Sequence, residues 1–330
     1  MIETEQYLCP IESFGDIVVW AANSVLVIAS KTQVLELEGH SDTIRTISIS
    51  PNGEYIVSGG EDKKICVWAK IPDGTWKIDS TYIHSKRIMC VQFDEFGQVF
   101  FADKFGEFYA LNTPPSSEPP TLMFGHLSAV SSILYKDNIL VSADRDEKIR
   151  LAKYPRVDII DSFLFGHKRY VSHMSFTRQN AQLATAGADG QIILWNIENR
   201  ENPTVVWKKY LGDGTLNTMC VTKDYVYVVR SCDPKHIHTI SLNNPDNNQL
   251  IETNFDIQSL HEISDTRELV AVDCHTSHLM NVHTSSTHTA LSREIPGVPI
   301  VLMKAVHHEN TLDEENSNFK RKKSDGNKPK

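Results

Sequence analysis

Three groups of residues in this 330-residue chain have types that could do chemistry. Gly212-Asp-Gly214 is a G-x-G with Asn217 where a dinucleotide or methyl-donor loop would want a third glycine. It leads into a strand-like run rather than a helix, so it reads as a turn and not as a phosphate cradle. His275, His278, His283 and His288, with Cys274 beside them, are donors that zinc accepts, but their spacing fits no usual zinc pattern. They read as surface or loop residues, and no metal is expected. No serine sits in G-x-S-x-G, and no carboxylate pair forms an acid–base couple, so no catalytic residue is expected either. The third group is a recurrence: His40, Ser58, Asp62 and Trp68, then His167, Thr185, Asp189 and Trp195, with the same six-residue Asp-to-Trp offset in both sets.

The elements that must position these residues repeat. Gly39-His40, Gly125-His126 and Gly166-His167, with His84 between the first two, space the histidines 44, 42 and 41 residues apart. In the clearest unit, Thr43 to Lys70, Ile44, Ile47 and Ile49 make a strand and Pro51-Asn52-Gly53 turns. Tyr55 to Ser58 then returns, and Glu61-Asp62-Lys63-Lys64 turns into Ile65-Cys66-Val67-Trp68. These units resemble the WD repeat, in which four strands build one blade of a propeller. The resemblance implies that the loop His, strand Ser/Thr, turn Asp and strand Trp form one buried hydrogen-bonded chain, since buried polar groups must be paired.

Seven blades need about 280–315 residues. One all-β, seven-bladed WD-repeat propeller over residues 1–307 therefore replaces the two domains that length alone suggests. Beyond about Trp207 the signature fades into strand-like runs, such as Thr218 to Val229 and Leu269 to Val272. The N-terminal runs Ile17 to Trp20, Val25 to Ile28 and Val34 to Leu37 are expected to close the last blade and so remove open sheet edges.

With 33 Lys+Arg against 42 Asp+Glu, the net charge of −9 argues against a free-standing nucleic-acid-binding domain. The six cysteines form no C-x-x-C pair and read as reduced core thiols of an intracellular protein. Met1-Ile-Glu-Thr-Glu opens no secretory signal. The longest apolar run, Ile17 to Ala29, is too short to span a membrane, and no membrane partner is expected. Residues 308–330 read as a disordered charged tail. From Lys320 to Lys330 it carries six positive charges and one negative, a local +5 that leaves −14 on the rest.

The repeat breaks in its third recognisable unit, Ser142-Ala-Asp-Arg-Asp-Glu-Lys-Ile-Arg-Leu-Ala-Lys153. Taking Asp146 as the turn aspartate puts Arg150 where the regular units have Cys66 and Ile193, and Ala152 where they have Trp68 and Trp195. In the unit before it, the same alignment uses Asp103 and puts Glu107 in the register of Arg150 and Tyr109 in that of the tryptophan. Asp144, Arg145, Asp146, Lys148 and Arg150 read either as a solvated face with a structural Asp146 or as a docking patch whose charges fix a partner's orientation.

Ala143-Asp-Arg-Asp-Glu-Lys-Ile-Arg150, Tyr154-Pro155 and Phe165-Gly-His-Lys-Arg-Tyr-Val-Ser172 resemble the WD-repeat, non-catalytic subunit of eukaryotic tRNA (guanine-N7) methyltransferase, as does Val99 to Tyr109. The resemblance covers roughly Leu35 to Ile197. It implies no chemistry in this chain. A catalytic partner would bind S-adenosylmethionine and modify a variable-loop guanine of tRNA, and this chain would stabilise that partner as a heterodimer. By the same resemblance Arg150 pairs with an acidic residue of the partner, Asp146 and Lys148 join the interface, and Lys168, Arg169 and Tyr170 are neighbours. Arg150→Leu would then be the most damaging single interface change, at about 2–5 kcal/mol. Lys320, Arg321, Lys322 and Lys323 read as a nuclear-import signal, which implies a nuclear location, or as a contact to tRNA held mainly by the partner. The alternative is a general WD-repeat scaffold, such as a ubiquitin-ligase substrate adaptor or a peptide reader.

Overall fold

In the computed structural model, residues 9–30, 33–111, 119–178, 181–263, 269–273, 279–283 and 291–294 are described. The other segments, including the proposed tail, Cys274, His275, His278 and His288, lie outside the described residues. The strands form seven antiparallel four-stranded sheets, each built from strands consecutive in sequence. These are blade 1 (residues 11–38), blade 2 (44–83), blade 3 (88–125), blade 4 (130–164), blade 5 (171–210), blade 6 (216–252) and blade 7 (257–294). The molecule is a seven-bladed propeller. The first strand of each blade is innermost and packs against the first strands of its neighbours, and Ile257–Glu262 of blade 7 meets Ile11–Phe14 of blade 1.

Middle strands are sandwiched between blades, so both of their faces must be apolar. Ile17–Ala22 is buried at every position. Trp68, Cys66 and Ile56 of blade 2 pack on Val19, Leu26 and Ile28 of blade 1, and each blade from the second to the sixth packs on its successor in the same way. Outermost strands such as Thr204–Tyr210 are largely exposed and carry lysines, which discourage edge-to-edge pairing.

One expectation is corrected here. The N-terminal runs do not complete the last blade. Ile11–Phe14, Ile17–Ala22, Val25–Ala29 and Val34–Glu38 form a sheet of their own, and blade 7 draws all four strands from residues 257–294. The reason is supply: the four strands upstream of Gly39 pair with one another, so none is left over to lend. The seam between blades 7 and 1 is made by side chains instead, with Ser13 Oγ 3.0 Å from His261 Nε2 and donating to the Glu262 carbonyl at 3.5 Å.

Of the cysteines, Cys9, Cys66, Cys90 and Cys220 are buried free thiols and Cys232 is exposed. Burial pushes the Cys9, Cys90 and Cys220 thiols up to about 12, so they are inert packing groups. Among the described residues no group of three or more His, Cys, Asp or Glu could hold a metal. No helix among them is long and apolar enough to cross a membrane.

Two innermost-strand histidines give the fold a pH dependence. Burial pulls His173 and His261 down from 6.5 to about 4. A depressed folded pKa means that the stability each contributes is complete above 6.5 and is lost as pH falls toward 4. Glu12, which burial raises to about 7, acts in the opposite sense, so the difference between proteins is the quantity to read. A His173→Gln/His261→Gln variant should lose about 4 kcal/mol less than the parent between pH 6.5 and 4.5 in urea unfolding, about 2 kcal/mol for each histidine. Parallel curves would show that these histidines titrate normally in the fold.

Candidate partner-docking face

In a blade of four antiparallel strands, the turn between the second and third strands shares one end of the ring with the link to the next blade. The recurrent histidines sit on those links and the aspartates at those turns. In blade 2 the His40 ring Nδ1 lies 2.9 Å from Asp62, its Nε2 lies 2.8 Å from Ser58 Oγ, and Trp68 Nε1 donates to the same Oγ at 2.9 Å. Blade 5 repeats this arrangement, with His167 3.1 Å from Asp189 and 2.8 Å from Thr185, and Trp195 donating to Thr185 at 3.0 Å. The arrangement suits one tautomer: Nδ1–H donates to the carboxylate and Nε2 accepts the hydroxyl proton. Burial pulls His40 below its ordinary value despite Asp62. Burial also pushes Asp62 up, but bonds from His40 and from the N–H groups of Ser41 and Lys64 outweigh it and hold the carboxyl low.

Blades 3 and 4 make the same pairing by another route. His126 lies 3.1 Å from Asp144 and 2.8 Å from Ser142, and His84 lies 3.2 Å from Asp103. The structural aspartate of blade 4 is therefore Asp144, at 1% exposure, and not Asp146, which is exposed on the turn. Asp144 follows Ser142 by two residues, the position of Gly60 and Gly187 in the regular blades. A Cβ on Gly187 would come within 2.5 Å of both His167 and Asp189. A carboxylate mounted at that strand end reaches the histidine directly, without the detour over the turn. Asp144 also accepts the N–H groups of Asp146 and Lys148 at 2.9 and 3.1 Å.

The strand pairing fixes the register. Ser142 opposes Arg150 as Ser58 opposes Cys66, and Leu140 opposes Ala152 as Ile56 opposes Trp68. Arg150 and Ala152 thus stand where expected. In blade 3 the register differs from the expectation. Phe101 opposes Tyr109, so Tyr109 and not Glu107 shares the position of Arg150, and Leu111 takes the tryptophan's place. Tyr109 stacks on Phe101 with ring centres 4.9 Å apart.

Arg150 itself is not a surface cation in this chain. It is 6% exposed. Its guanidinium lies 4.0 Å over the Phe124 ring of blade 3, its Nη2 donates to the Val157 carbonyl, and its Nε is buried without a partner among the described residues. Ala152, Val157, Phe124 and Tyr154 share one cluster, so the long side chain runs into space that Ala152 leaves open. Burial lowers its pKa, against the pull of Asp158.

What faces solvent at this end is Arg145, Asp146, Lys168 and Arg169, with Lys148 and Tyr170 half-buried. A bond from Arg145 N–H to the Ala129 carbonyl, at 3.0 Å, ties their turn to the preceding link. Around them stand residues that the sequence reading did not single out: Leu127 at 93%, Phe165 at 71% and Phe105 at 59% exposure, with Lys86 Nζ 4.8 Å over the Phe105 ring. Such exposed apolar side chains among charges of both signs are the make-up of a protein interface. The available signal was position, since Leu127 and Phe165 flank the Gly-His pairs on links that cannot be core. Cys274, His275, His278 and His288 are outside the described residues.

A family model described as the tRNA methyltransferase TRM82 WD40 domain matches residues 117–291, more than half of the chain. A WD domain, G-beta repeat model matches residues 31–69. The chain is 31% identical over 164 residues to the tRNA (guanine-N(7)-)-methyltransferase non-catalytic subunit TRM82 of Eremothecium gossypii, covering 46% of this chain and 36% of that protein. It is 29% identical over 163 residues to the corresponding subunit, wdr4, of Xenopus laevis, covering 48% and 41%. Against TRM82 of Saccharomyces cerevisiae it is 29% identical over 180 residues, covering 50% and 40%. It spans roughly two fifths of the length of these relatives. Among solved structures, the β-propeller domain of Cps50 (Swd1) from Myceliophteria thermophila superposes with a TM-score of 0.72 at 14% identity, covering 83% of this chain and 95% of that one. At that identity the likeness concerns the fold.

Proposed function

Because the chain belongs to the tRNA methyltransferase TRM82 WD40 family, we propose that it is the non-catalytic WD-repeat subunit of a tRNA (guanine-N7) methyltransferase. In this reading it does no chemistry. It binds and stabilises a catalytic partner, which holds S-adenosylmethionine and modifies tRNA, and the heterodimer works in the nucleus. The names of its relatives support the role. The observation that carries the docking site is the pairing of Leu127, Phe165 and Phe105 with Arg145, Asp146, Lys148, Lys168 and Arg169 at one end of blades 3 to 5. A rigid ring presents these loops in fixed geometry, so little ordering entropy opposes association. Arg150 and Asp144 support the site from beneath, by holding the loop at Val157 and the turn at 145–148.

Co-expression with the catalytic subunit tests this. Phe165→Asp should cut co-purification at least tenfold, since a buried, unpaired charge at an interface costs about 2 kcal/mol or more, while the melting temperature of the isolated chain stays unchanged. Full retention of the partner by Phe165→Asp and Leu127→Asp together would remove this face from the interface.

A further inference from the structure

Blade 6 lacks the histidine network, and what replaces it makes a site. Counted back four residues from the innermost strands, Gly212 stands before Leu216 as His167 stands before Val171. Opposite those strand starts, Arg230 pairs with Leu216 as Gly187 pairs with Val171. Glycine has thus replaced the loop histidine, and an arginine fills the space left. A Cβ on Gly212 would meet Arg230 Nη2 at 2.9 Å. Arg230 Nη2 donates to the Asp213 carbonyl at 3.0 Å, and its buried Nε has no partner among the described residues.

The consequence concerns a carboxylate. In blades 2 and 5 the residue after the loop histidine donates its N–H to the turn aspartate, Ser41 to Asp62 at 2.9 Å and Lys168 to Asp189 at 2.8 Å. The equivalent N–H in blade 6 belongs to Asp213, and no aspartate caps it. The N–H groups of Gly212, Asp213 and Gly214 donate to no group among the described residues. Their loop runs through two positive-φ glycines, at +103° and +120°. Successive uncapped N–H groups in such a turn form a concavity for an anion.

Asp213 and Gly214 of the loop line a cavity of about 480 Å³ at the end of blade 5, together with Lys168, Arg169, Ala188, Asp189, Gln191 and Tyr210, while Arg230 reaches the loop from blade 6 through the Asp213 carbonyl. Two carboxylates are present, and both are engaged: Asp189 by His167 and backbone N–H groups, Asp213 by the Tyr210 hydroxyl. Lys208 Nζ lies beside Gly166, at the start of the link that carries Lys168 and Arg169. Tyr210, 56% exposed, offers a ring face at the rim.

We propose that this cavity binds a backbone phosphate of RNA. The phosphate oxygens take the place that the turn carboxylate holds in blades 2 and 5. Lys168, Arg169 and Arg230 supply countercharge, and a neighbouring base stacks on Tyr210. Basic side chains beside an exposed aromatic ring suit a nucleic acid better than an acidic peptide, because only the former has a flat face to stack. The site rests on the methyltransferase reading only for which RNA arrives.

The test is fluorescence anisotropy of labelled tRNA and of a short single-stranded RNA with the full chain, at about 50 and about 200 mM salt. A Lys168→Gln/Arg169→Gln variant should bind about tenfold more weakly at low salt and flatten the log–log salt dependence by about one and a half, for two lost charges. Any binding by residues 320–330 is common to both proteins and cancels. Tyr210→Ala should weaken the single-stranded RNA at least about fivefold. Unchanged RNA affinity in the double variant overturns the proposal, as does polyglutamate that displaces RNA equally well at matched charge. Because Lys168 and Arg169 also stand on the proposed docking face, co-purification with the catalytic subunit is read on Tyr210→Ala, which leaves that face intact and should retain the partner. RNA binding is read on the chain alone, so its loss supports the site whatever becomes of Phe165→Asp, and its retention overturns the site.

Discussion

Arg150→Leu should unfold the isolated chain several degrees below the parent, before any partner is present. The change removes the donor to the Val157 carbonyl and the cation over Phe124, and it leaves a gap beside Ala152 where regular blades hold tryptophan. An orphaned buried carbonyl costs about 1–3 kcal/mol, and a cavity of a few heavy atoms adds to it. Relief of a buried cation with an unpartnered Nε offsets part of this. The net expectation is about 2 kcal/mol. Arg150→Met, which keeps most of the length but not the donor, should recover the packing part. The measurement is thermal and urea unfolding of the chain alone, set beside co-purification with the catalytic subunit. An unchanged melting temperature with loss of the partner would mean that Arg150 swings out and pairs across the interface, as the family resemblance implies.

The second large effect distinguishes two aspartates two residues apart. Asp144→Ala should cost about 3 kcal/mol or more, because it removes the carboxylate that His126 Nδ1 bonds and uncaps two backbone N–H groups. Asp146→Ala, on an exposed turn, should stay within about 0.5 kcal/mol. Urea midpoints of the two variants decide it. Equal effects would show that the turn aspartate carries the network after all. Only Asp146→Ala can act through a partner without acting on the fold.

The ring of blades and the His–Ser/Thr–Asp–Trp chains of blades 2 and 5 were legible because their residue types are rare together and their offsets are fixed. Blade 1 was not. It has no Gly-His link and no turn aspartate, and strands buried on both faces, such as Ile17–Ala22, read only as apolar runs that could be placed anywhere. Asp144 was misjudged because the offset was measured from the turn, whereas Ser142-Ala-Asp144 and Phe101-Ala-Asp103 put the carboxylate on the strand end. Arg150 was misjudged for a general reason: a cation in sequence suggests surface, and only the neighbouring Ala152 and the ring of Phe124 make room for it inside. The exposed Leu127 and Phe165 were overlooked for the converse reason.

The independence of blade 1 bears on how the chain is made. A propeller that lends its first strand to its last blade holds that strand unpaired until synthesis is over. Here the strands ending at Glu38 find all their pairing partners among themselves, and each later blade does the same. No strand edge waits for a distant partner, which limits the exposed surface that drives aggregation of slowly folding β proteins. The last event is lateral. Residues 257–294 settle against a blade whose sheet is already complete in itself, and Ser13 meeting His261 marks the seam.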